Sequence, residues 1–183
     1  AADYLFDVVR PESRDAAVRP NALYAVALPG ELLDAEQRAA VLTRARRDLL
    51  VPMALRTLSP TDPHYTGRYH GDAWARDGAY HQGTAWPFLL GAFTSALVRD
   101  AALAGDAEAI ARARADVREL FHGLDDALRA QCVGHLAEIV EGDAPHRPVG
   151  CFAQAWSDCE ALRGLVEDGL GVGPDDSFAP LAP

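Results

Sequence analysis

Apolar residues recur at helical spacing in four stretches of the chain, which predicts four helices. The first helix begins after Asp34, where Gln37 completes a capping-box pattern, and it runs to about Leu50, just before Pro52. Its apolar side is formed by Val41, Leu42, Ala45 and Leu49. This stretch therefore has both a helix start signal and a continuous apolar side.

The second predicted helix covers residues 84 to about 103, with Pro87 tolerated in its first turn. Gly105 and Asp106 then end that helix and cap the next one. The third helical pattern is formed by Ile110, Ala113, Val117, Leu120, Leu124 and Leu128. The second predicted helix and the third helical pattern are each long enough to bury an apolar side.

The last predicted helix covers about residues 151 to 167, and the tail from Gly169 is expected to be loose. Its predicted buried side is formed by Phe152, Ala155, Trp156, Cys159 and Leu162. No convincing run of alternating apolar and polar residues predicts a strand. The pattern therefore predicts an all-α fold whose functional residues lie in the loops between helices.

Composition and charge narrow the class of protein. The chain has 183 residues, 49% of them hydrophobic, which is enough for one domain with a core. All 17 basic residues are arginine, and the net charge is −10, which argues against nucleic acid or an anionic membrane as the main partner. No apolar run is long enough to predict a membrane span.

The cysteines and histidines give no metal-binding pattern. The three cysteines, Cys132, Cys151 and Cys159, have no CxxC spacing, so neither a zinc site nor a redox pair is predicted, and no cofactor is expected. The N-terminal residues carry acids early and no basic region, unlike a signal peptide. With an odd number of cysteines, this predicts a cytoplasmic location.

The stretch from residue 59 to 87, SPTDPHYTGRYHGDAWARDGAYHQGTAWP, is long, irregular and rich in aromatic and hydrogen-bonding side chains. Aromatic rings pack against sugar rings, and charged side chains bind hydroxyl groups strongly. The candidate sugar-binding residues here are Arg68, Asp72, Asp77, His81, Gln82 and Trp86. A polar surface loop that inserts an aromatic side chain into the core would have the same composition.

Glu138 is the candidate catalytic residue, because a carboxylate between Leu136 and Ile139 is expected to be partly desolvated and suited to act as a base. A solvent-facing glutamate at a helix end fits the spacing equally well. His146, in the sequence PHRP, is expected to be structural or to lie at the rim of the site. Trp156, within a helical apolar stripe, is expected in the core.

Several motifs occur in one order along the chain: RPN, LRTLSP, GRYHGD, RDGAYHQGTAWP, AEIVEGD, PHRP and GCFAQAWS. Together they resemble the C-terminal half of the glucosidase domain of glycogen debranching enzymes, the amylo-alpha-1,6-glucosidase type, with a fainter likeness to glucoamylases. The resemblance implies part of an (α/α)6 toroid, a six-hairpin glycosidase fold, over residues 1–168, followed by a tail over residues 169–183.

The resemblance also implies a reaction and a site. The reaction is inverting hydrolysis of α-1,6-linked glucose at the branch points of glycogen or limit dextrin, and Glu138 matches the family's general base. Arg68, Trp86, His81 and Gln82 match positions that hold the terminal glucose, and Asp72, Asp77 and His146 are expected beside them. The chain departs from the family pattern at Ala137, Val140, Glu141, Val149 and Asp158.

The resemblance places the general acid in an N-terminal half that has no counterpart in these motifs. That half of the same enzyme is then the expected partner, and self-association is expected if the apolar helix faces are left uncovered. Two other readings stay open. The chain could be a non-catalytic carbohydrate-binding remnant, or part of another six-hairpin hydrolase that acts on an α-glucan or a trehalose-like sugar.

Overall fold

A computed structural model describes residues 4–130 and 134–173 of the chain. The helices in chain order are α1 (Tyr24–Ala27), α2 (Ala35–Asp48), α3 (Ala73–Ala79), α4 (Leu89–Leu103), α5 (Ala107–Leu120), α6 (Leu124–Ala130) and α7 (Ala155–Arg163). A 3-10 turn, Pro20–Leu23, precedes α1, and a π-helix, Gly164–Leu170, continues α7. Helices thus make up most of the regular structure described.

The described residues also form two small antiparallel sheets. The strands are β1 (Val8–Arg10), β2 (Ser13–Asp15), β3 (Leu50–Val51), β4 (Ala54–Arg56), β5 (Ala85–Trp86), β6 (Ile139–Val140) and β7 (Pro148–Val149). The first two strands pair with each other, and the other five form one sheet in the order β3-β4-β5-β6-β7. The helical prediction is confirmed, but the expectation of a fold without strands is wrong. Strands of two or three residues are too short to show alternation.

Helix α2 is confirmed, including its capping box. The Asp34 carboxylate accepts a hydrogen bond from the backbone N–H of Gln37 at 2.8 Å, and the Gln37 side chain accepts one from the backbone N–H of Asp34 at 3.0 Å. All four residues of the predicted apolar side are buried. The local signals and the tertiary packing agree for this helix.

The predicted start of the second helix at Thr84 is wrong. Residues Ala85–Trp86 form β5, which pairs with β4 on one side and β6 on the other, and α4 begins only at Leu89. Pro87 cannot donate a backbone hydrogen bond and separates the two elements. The third helical pattern is divided in two, since residues 121–123 form a turn between α5 and α6.

Helix α4 lies at the centre of the helical layer and packs against α1, α2, α5 and α7. Its residues Leu90, Phe93 and Ala96 are almost completely buried. Together with Leu23, Val41 and other apolar residues they form the main hydrophobic core. No helix within residues 4–130 and 134–173 is long and apolar enough to span a membrane.

Helix α7 buries the side opposite to the predicted one. Ser157 and Ala161 are buried, whereas Trp156 and Leu162 are exposed by 47% and 63%. Cys159 is also exposed. Phe152, 62% exposed, precedes the helix, which begins at Ala155 and not near residue 151. The buried side of α7 is thus formed by small residues, and its large apolar side chains lie on the exposed side.

The π-helix is held against α4 by a charged side chain. Asp168 accepts hydrogen bonds from the hydroxyls of Thr94 and Ser95 at 2.8 and 2.9 Å and lies 3.4 Å from the Arg163 guanidinium. Gly169, where the tail was expected to begin, is buried in this helix. Residues 174–183 of the predicted tail lie outside the described residues.

Candidate active site

A pocket of about 600 Å³ lies between the sheet and the start of α7. It is lined by Arg19, Pro20, Asn21, Thr57, Tyr80, His81, Trp86, Phe88, Leu89, Glu138, Gln154 and Trp156. These residues come from stretches of the chain that are far apart in sequence. The volume falls in the range of small-ligand sites.

Glu138 lies in this pocket because of the strand that follows it. Ile139 and Val140 form β6, and Ile139 is completely buried. Leu136 and Ala137 on the other side are buried as well, whereas Glu138 itself is half-buried. The apolar neighbours thus fix the backbone while the carboxylate reaches the pocket.

Three donors reach the Glu138 carboxylate. The Tyr80 hydroxyl donates to Oε1 at 2.5 Å, and the Gln154 side-chain amide donates to the same oxygen at 3.3 Å. The backbone N–H of Cys151 donates to Oε2 at 3.2 Å. Hydrogen bonds of this kind favour the ionised form of a carboxylate.

The tyrosine is a donor across the neutral pH range. Burial raises the pKa of Tyr80 above its ordinary value, and the hydrogen bond to Glu138 raises it further. The hydroxyl therefore stays protonated and is the donor of this hydrogen bond.

Gly150 allows the loop after β7 to pass close to the carboxylate. Its φ is +72°, and a Cβ atom at this position would lie 2.8 Å from Oε2 of Glu138 and 2.9 Å from the Ile139 side chain. A glycine meets both requirements without strain. The loop can then bring the Cys151 N–H to the carboxylate.

One wall of the pocket is a cluster of aromatic rings. His81 stacks on Trp86 with centroids 5.0 Å apart, and Phe88 stacks on Trp156 at 4.4 Å. Trp86 also meets Tyr80 and Trp156 edge to face, at 4.8 and 5.9 Å. Rings held in this way present an apolar surface beside a charged group, which suits a ligand with both apolar faces and hydroxyl groups.

Arg19 joins the N-terminal part of the chain to the aromatic loop. Its guanidinium donates to the backbone oxygens of Thr57 and His81 at 3.0 and 2.8 Å, and to Oε1 of Gln82 at 2.9 Å. Asp7 lies 3.6 Å away. Arg19 thus holds His81 and Gln82 at the edge of the pocket.

The structure brings three of the predicted site residues together, since Glu138, His81 and Trp86 line the same pocket. Gln82 lies next to it, hydrogen-bonded to Arg19. Trp156, which was expected in the core, lines the pocket instead. The carboxylate and the aromatic loop therefore meet, although they are more than 50 residues apart in sequence.

Four predicted residues do not line this pocket. Asp72 is the N-cap of α3 and accepts a hydrogen bond from the N–H of Ala75, and Asp77 is exposed on the same helix. His146 has a φ of +58°, and its Nδ1 lies 3.0 Å from the backbone oxygen of Glu141. Arg68 lies beside Glu141 and Asp143, outside the pocket. Contact of any of the four with a ligand stays a prediction.

Arg68 belongs to a separate charged cluster around the loop after β6. It lies 3.5 Å from the Asp143 carboxylate and 3.9 Å from that of Glu141, which is buried. Asp143 also accepts a hydrogen bond from the Tyr65 hydroxyl at 3.0 Å, and burial together with this bond raises the pKa of Tyr65 to about 12. The cluster anchors the loop that begins just after Glu138.

Sequence reasoning did not assign Arg19, Tyr80, Phe88 or Gln154 to the site. Three of them lie within motifs already noted: Arg19 in RPN, Tyr80 in RDGAYHQGTAWP and Gln154 in GCFAQAWS. The signal was therefore present, but nothing in the spacing says that these motifs meet around Glu138. No group of three or more His, Cys, Asp or Glu able to hold a metal occurs among the described residues.

Comparison with known proteins agrees with the motifs. The family model described as amylo-alpha-1,6-glucosidase matches residues 1–163. A glycogen debranching enzyme of Saccharomyces cerevisiae is 34% identical over 88 residues, a match that covers 45% of this chain and 6% of the yeast protein. The matched region is thus a small part of that relative's length. With the motif order and the pocket, the match over residues 1–163 shows that the chain belongs to the amylo-alpha-1,6-glucosidase family.

Proposed function

We propose that this chain is part of a glycoside hydrolase of the debranching type, which releases α-1,6-linked glucose from branched α-glucans such as glycogen and limit dextrin. The observation that carries the proposal is the position of Glu138, a half-buried carboxylate with three hydrogen-bond donors at the wall of an aromatic pocket. The family match supports the same reaction class.

In the proposed reaction Glu138 is the general base. It removes a proton from a water molecule, whose oxygen attacks the anomeric carbon from the face opposite to the leaving group. The bond to the leaving oxygen then breaks, and a second carboxylic acid protonates that oxygen. Inversion by this route requires the two carboxyl groups to be roughly 6.5–9.5 Å apart, so that the water fits beneath the sugar.

The second carboxylic acid is proposed to come from outside the described residues. Of the described residues that line the pocket, Glu138 is the only one with a carboxylate. Asp72, the N-cap of α3, and Asp77, within that helix, were predicted to bind sugar, but neither lines the pocket. The proposal therefore includes a further part of the enzyme that completes an (α/α)6 toroid around this site.

The aromatic wall is the proposed binding surface for the glucose ring. His81, Phe88 and Trp156 offer ring surfaces to the pocket that Glu138 also lines, whereas Trp86, only 3% exposed, supports His81 by stacking on it. Binding energy from such faces can hold the anomeric carbon against the attacking water.

Replacing Glu138 tests the proposal. In the full-length protein we expect Glu138→Gln to lower kcat for glucose release from limit dextrin by roughly 100- to 10,000-fold, because the water loses its base. Binding of the glucan should stay near normal, since the amide keeps the shape of the side chain. Glu108→Gln, at an exposed glutamate of α5, is the matched control and should keep full activity.

Chemical rescue makes the test specific for a base. Azide needs no deprotonation, so it should restore cleavage in Glu138→Ala by entering the space that the side chain leaves. Attack from the face used by water should give a glucosyl azide of β configuration. Near-normal glucose release by Glu138→Gln would remove Glu138 from the role of base.

A carbohydrate-binding function without catalysis is the second candidate, and the single carboxylate in the described pocket favours it. Glucose release by the full-length protein distinguishes the two functions. If the full-length protein binds limit dextrin but releases no glucose over hours, the binding function is the correct one.

A further inference from the structure

We propose that Tyr80 and Gln154 are positioning residues that hold Glu138 by Oε1, so that Oε2 is the atom that takes the proton from the attacking water. The proposal rests on the proposed function, in which Glu138 is the base. It adds the identity of the accepting oxygen and the residues that select it.

The two carboxylate oxygens have different surroundings. Oε1 receives the Tyr80 hydroxyl at 2.5 Å and the Gln154 amide at 3.3 Å, whereas Oε2 receives only the Cys151 N–H, at 3.2 Å, among the described residues. A carboxylate has about four lone-pair sites, two on each oxygen. Among the described residues, both sites of Oε1 therefore have donors, and one of the two sites of Oε2 does not.

Tyr80 is held rigidly enough to fix the carboxylate. Its ring packs against Tyr69, His81 and Trp86, at centroid distances of 5.9, 4.8 and 4.8 Å. Its backbone oxygen accepts hydrogen bonds from the Thr84 hydroxyl at 2.7 Å and the Trp86 indole at 3.1 Å. Ring and backbone are thus both constrained, so the hydroxyl has a fixed position.

Gln154 is fixed by the same segment that carries the base. Its backbone N–H donates to the oxygen of Leu136 at 3.0 Å, and the backbone N–H of Glu138 donates to the oxygen of Cys151 at 2.8 Å. The stretches on either side of the carboxylate are therefore tied together. A short hydroxyl–carboxylate bond and a longer amide bond then set the orientation of the side chain.

Several charged or titratable groups line the pocket with this carboxylate or contact it. Tyr80 and His81 directly follow α3, Arg19 directly precedes the Pro20–Leu23 turn, and Cys151 lies in the loop after β7. Tyr69 packs behind Tyr80. Of these, only Tyr80 donates a side-chain hydrogen bond to Glu138 in the described structure. Among these groups, the Tyr80 hydroxyl is therefore the one whose removal acts most directly on the Glu138 carboxylate.

In the proposed step the attacking water loses one proton and forms one new bond. The water proton moves to Oε2, the water oxygen forms the new bond to the anomeric carbon, and the electron pair of the broken bond leaves with the glucan oxygen. The second carboxylic acid supplies a proton to that oxygen. Tyr80 and Gln154 keep their own protons and act only through Glu138.

The test is the pH profile of kcat/KM for Tyr80→Phe in the full-length protein. Loss of a hydrogen bond to the ionised base makes ionisation harder, so the acidic limb should move to higher pH by about one unit. KM for limit dextrin should stay unchanged, because the ring is retained. Gln154→Leu removes the longer bond and should shift the limb in the same direction by less.

Tyr65→Phe is the matched control, since its hydroxyl also donates to a carboxylate, Asp143, in a cluster that lies outside the pocket. It should leave the acidic limb in place. Circular dichroism and thermal unfolding establish that each variant is folded. If Tyr80→Phe does not fold, Gln154→Leu decides the test.

The outcomes separate this proposal from the proposed function. If Glu138→Gln is inactive but the limb does not move in Tyr80→Phe, Glu138 is the base and the positioning proposal is wrong. A raised KM with an unmoved limb would assign Tyr80 to substrate contact and overturn the proposal as well. If Glu138→Gln keeps its activity, the proposed function itself is wrong.

Discussion

At the scale of single residues, buried charges depend on close partners. Asp48 ends α2 with its side chain only 8% exposed, and it pairs with Arg44 and with Arg47, whose Nε lies 2.7 Å away. The hydrogen bond from Arg47, together with that from Arg44, lowers the pKa of Asp48 below its ordinary value of 3.8, although burial opposes this shift. The folded state thus favours the ionised form.

The lowered pKa of Asp48 predicts a contribution to stability that depends on pH. A carboxyl group with a lower pKa in the folded state stabilises the protein above its unfolded pKa, and this stabilisation is lost as the pH falls through the folded value. Asp48→Asn should therefore lower the free energy of unfolding by about 1–3 kcal/mol at pH 7. Below pH 3.8 the difference from the unmodified chain should shrink.

Urea unfolding at several pH values checks this. The matched control is Asp116→Asn, which removes an exposed ion pair with Arg46. Exposed pairs contribute little, so the control should change stability only slightly at any pH. An Asp48 variant as stable as the unmodified chain at pH 7 would contradict the prediction.

At the scale of elements, the capping box of α2 gives a second stability prediction. The Asp34 carboxylate binds the N–H of Gln37, which has no partner inside the helix, so Asp34→Ala should cost about 0.5–2 kcal/mol. Thermal unfolding measures the loss. Glu36→Ala, in the first turn of the same helix, is the control and should cost less, since it leaves the capping box intact.

The same element shows why sequence predicts some parts of this fold and not others. Helix α2 has its start signal, apolar side and end signal within one continuous stretch, so local reasoning was sufficient. Strand β5 has two residues, and it is a strand only because β4 and β6 lie beside it. Pairing with a strand more than 50 residues away leaves no local signal.

Helix α7 illustrates a different limit. Periodicity identified a helix but assumed that its large apolar side chains face the core. The core side is instead formed by two small residues, Ser157 and Ala161. Trp156 lies on the other side of the helix and lines the pocket. The pattern of apolar residues could not predict this position.

The site was predicted only in part, because a motif shows the chemistry of its own residues but not their contacts with distant parts of the chain. Glu138 and Trp86 could be named because each lies in a motif with distinctive chemistry. The donors Tyr80 and Gln154 could not be assigned, since an ordinary tyrosine or glutamine acquires its role only from a contact across 58 or 16 residues.

At the scale of the whole molecule, a groove that combines apolar side chains with the ion pair of Glu160 and Arg163 lies beside the pocket. It is lined in part by Tyr24, Leu28, Phe88, Ala92 and Trp156, of which Leu28 is 55% exposed. Large exposed apolar surfaces favour association. We expect a preparation of this 183-residue chain to self-associate with rising concentration.

Sedimentation velocity measures this association. Leu28→Asp places a charge in the groove and should shift the distribution toward monomer. Leu32→Asp is the control, since Leu32 is 73% exposed but does not line the groove. A chain that is monomeric at every concentration would show that this groove does not drive association.

The aromatic wall has an optical consequence. Two of the three tryptophans, Trp86 and Trp156, line the pocket, whereas Trp74 is 86% exposed. Trp74 therefore emits from an aqueous environment whether or not the cavity is filled. Trp156, which is 47% exposed, changes its surroundings when a ligand displaces solvent, whereas Trp86 is only 3% exposed and changes little. The protein thus contains its own fluorescent indicator of occupancy, with a built-in reference, and needs no attached dye.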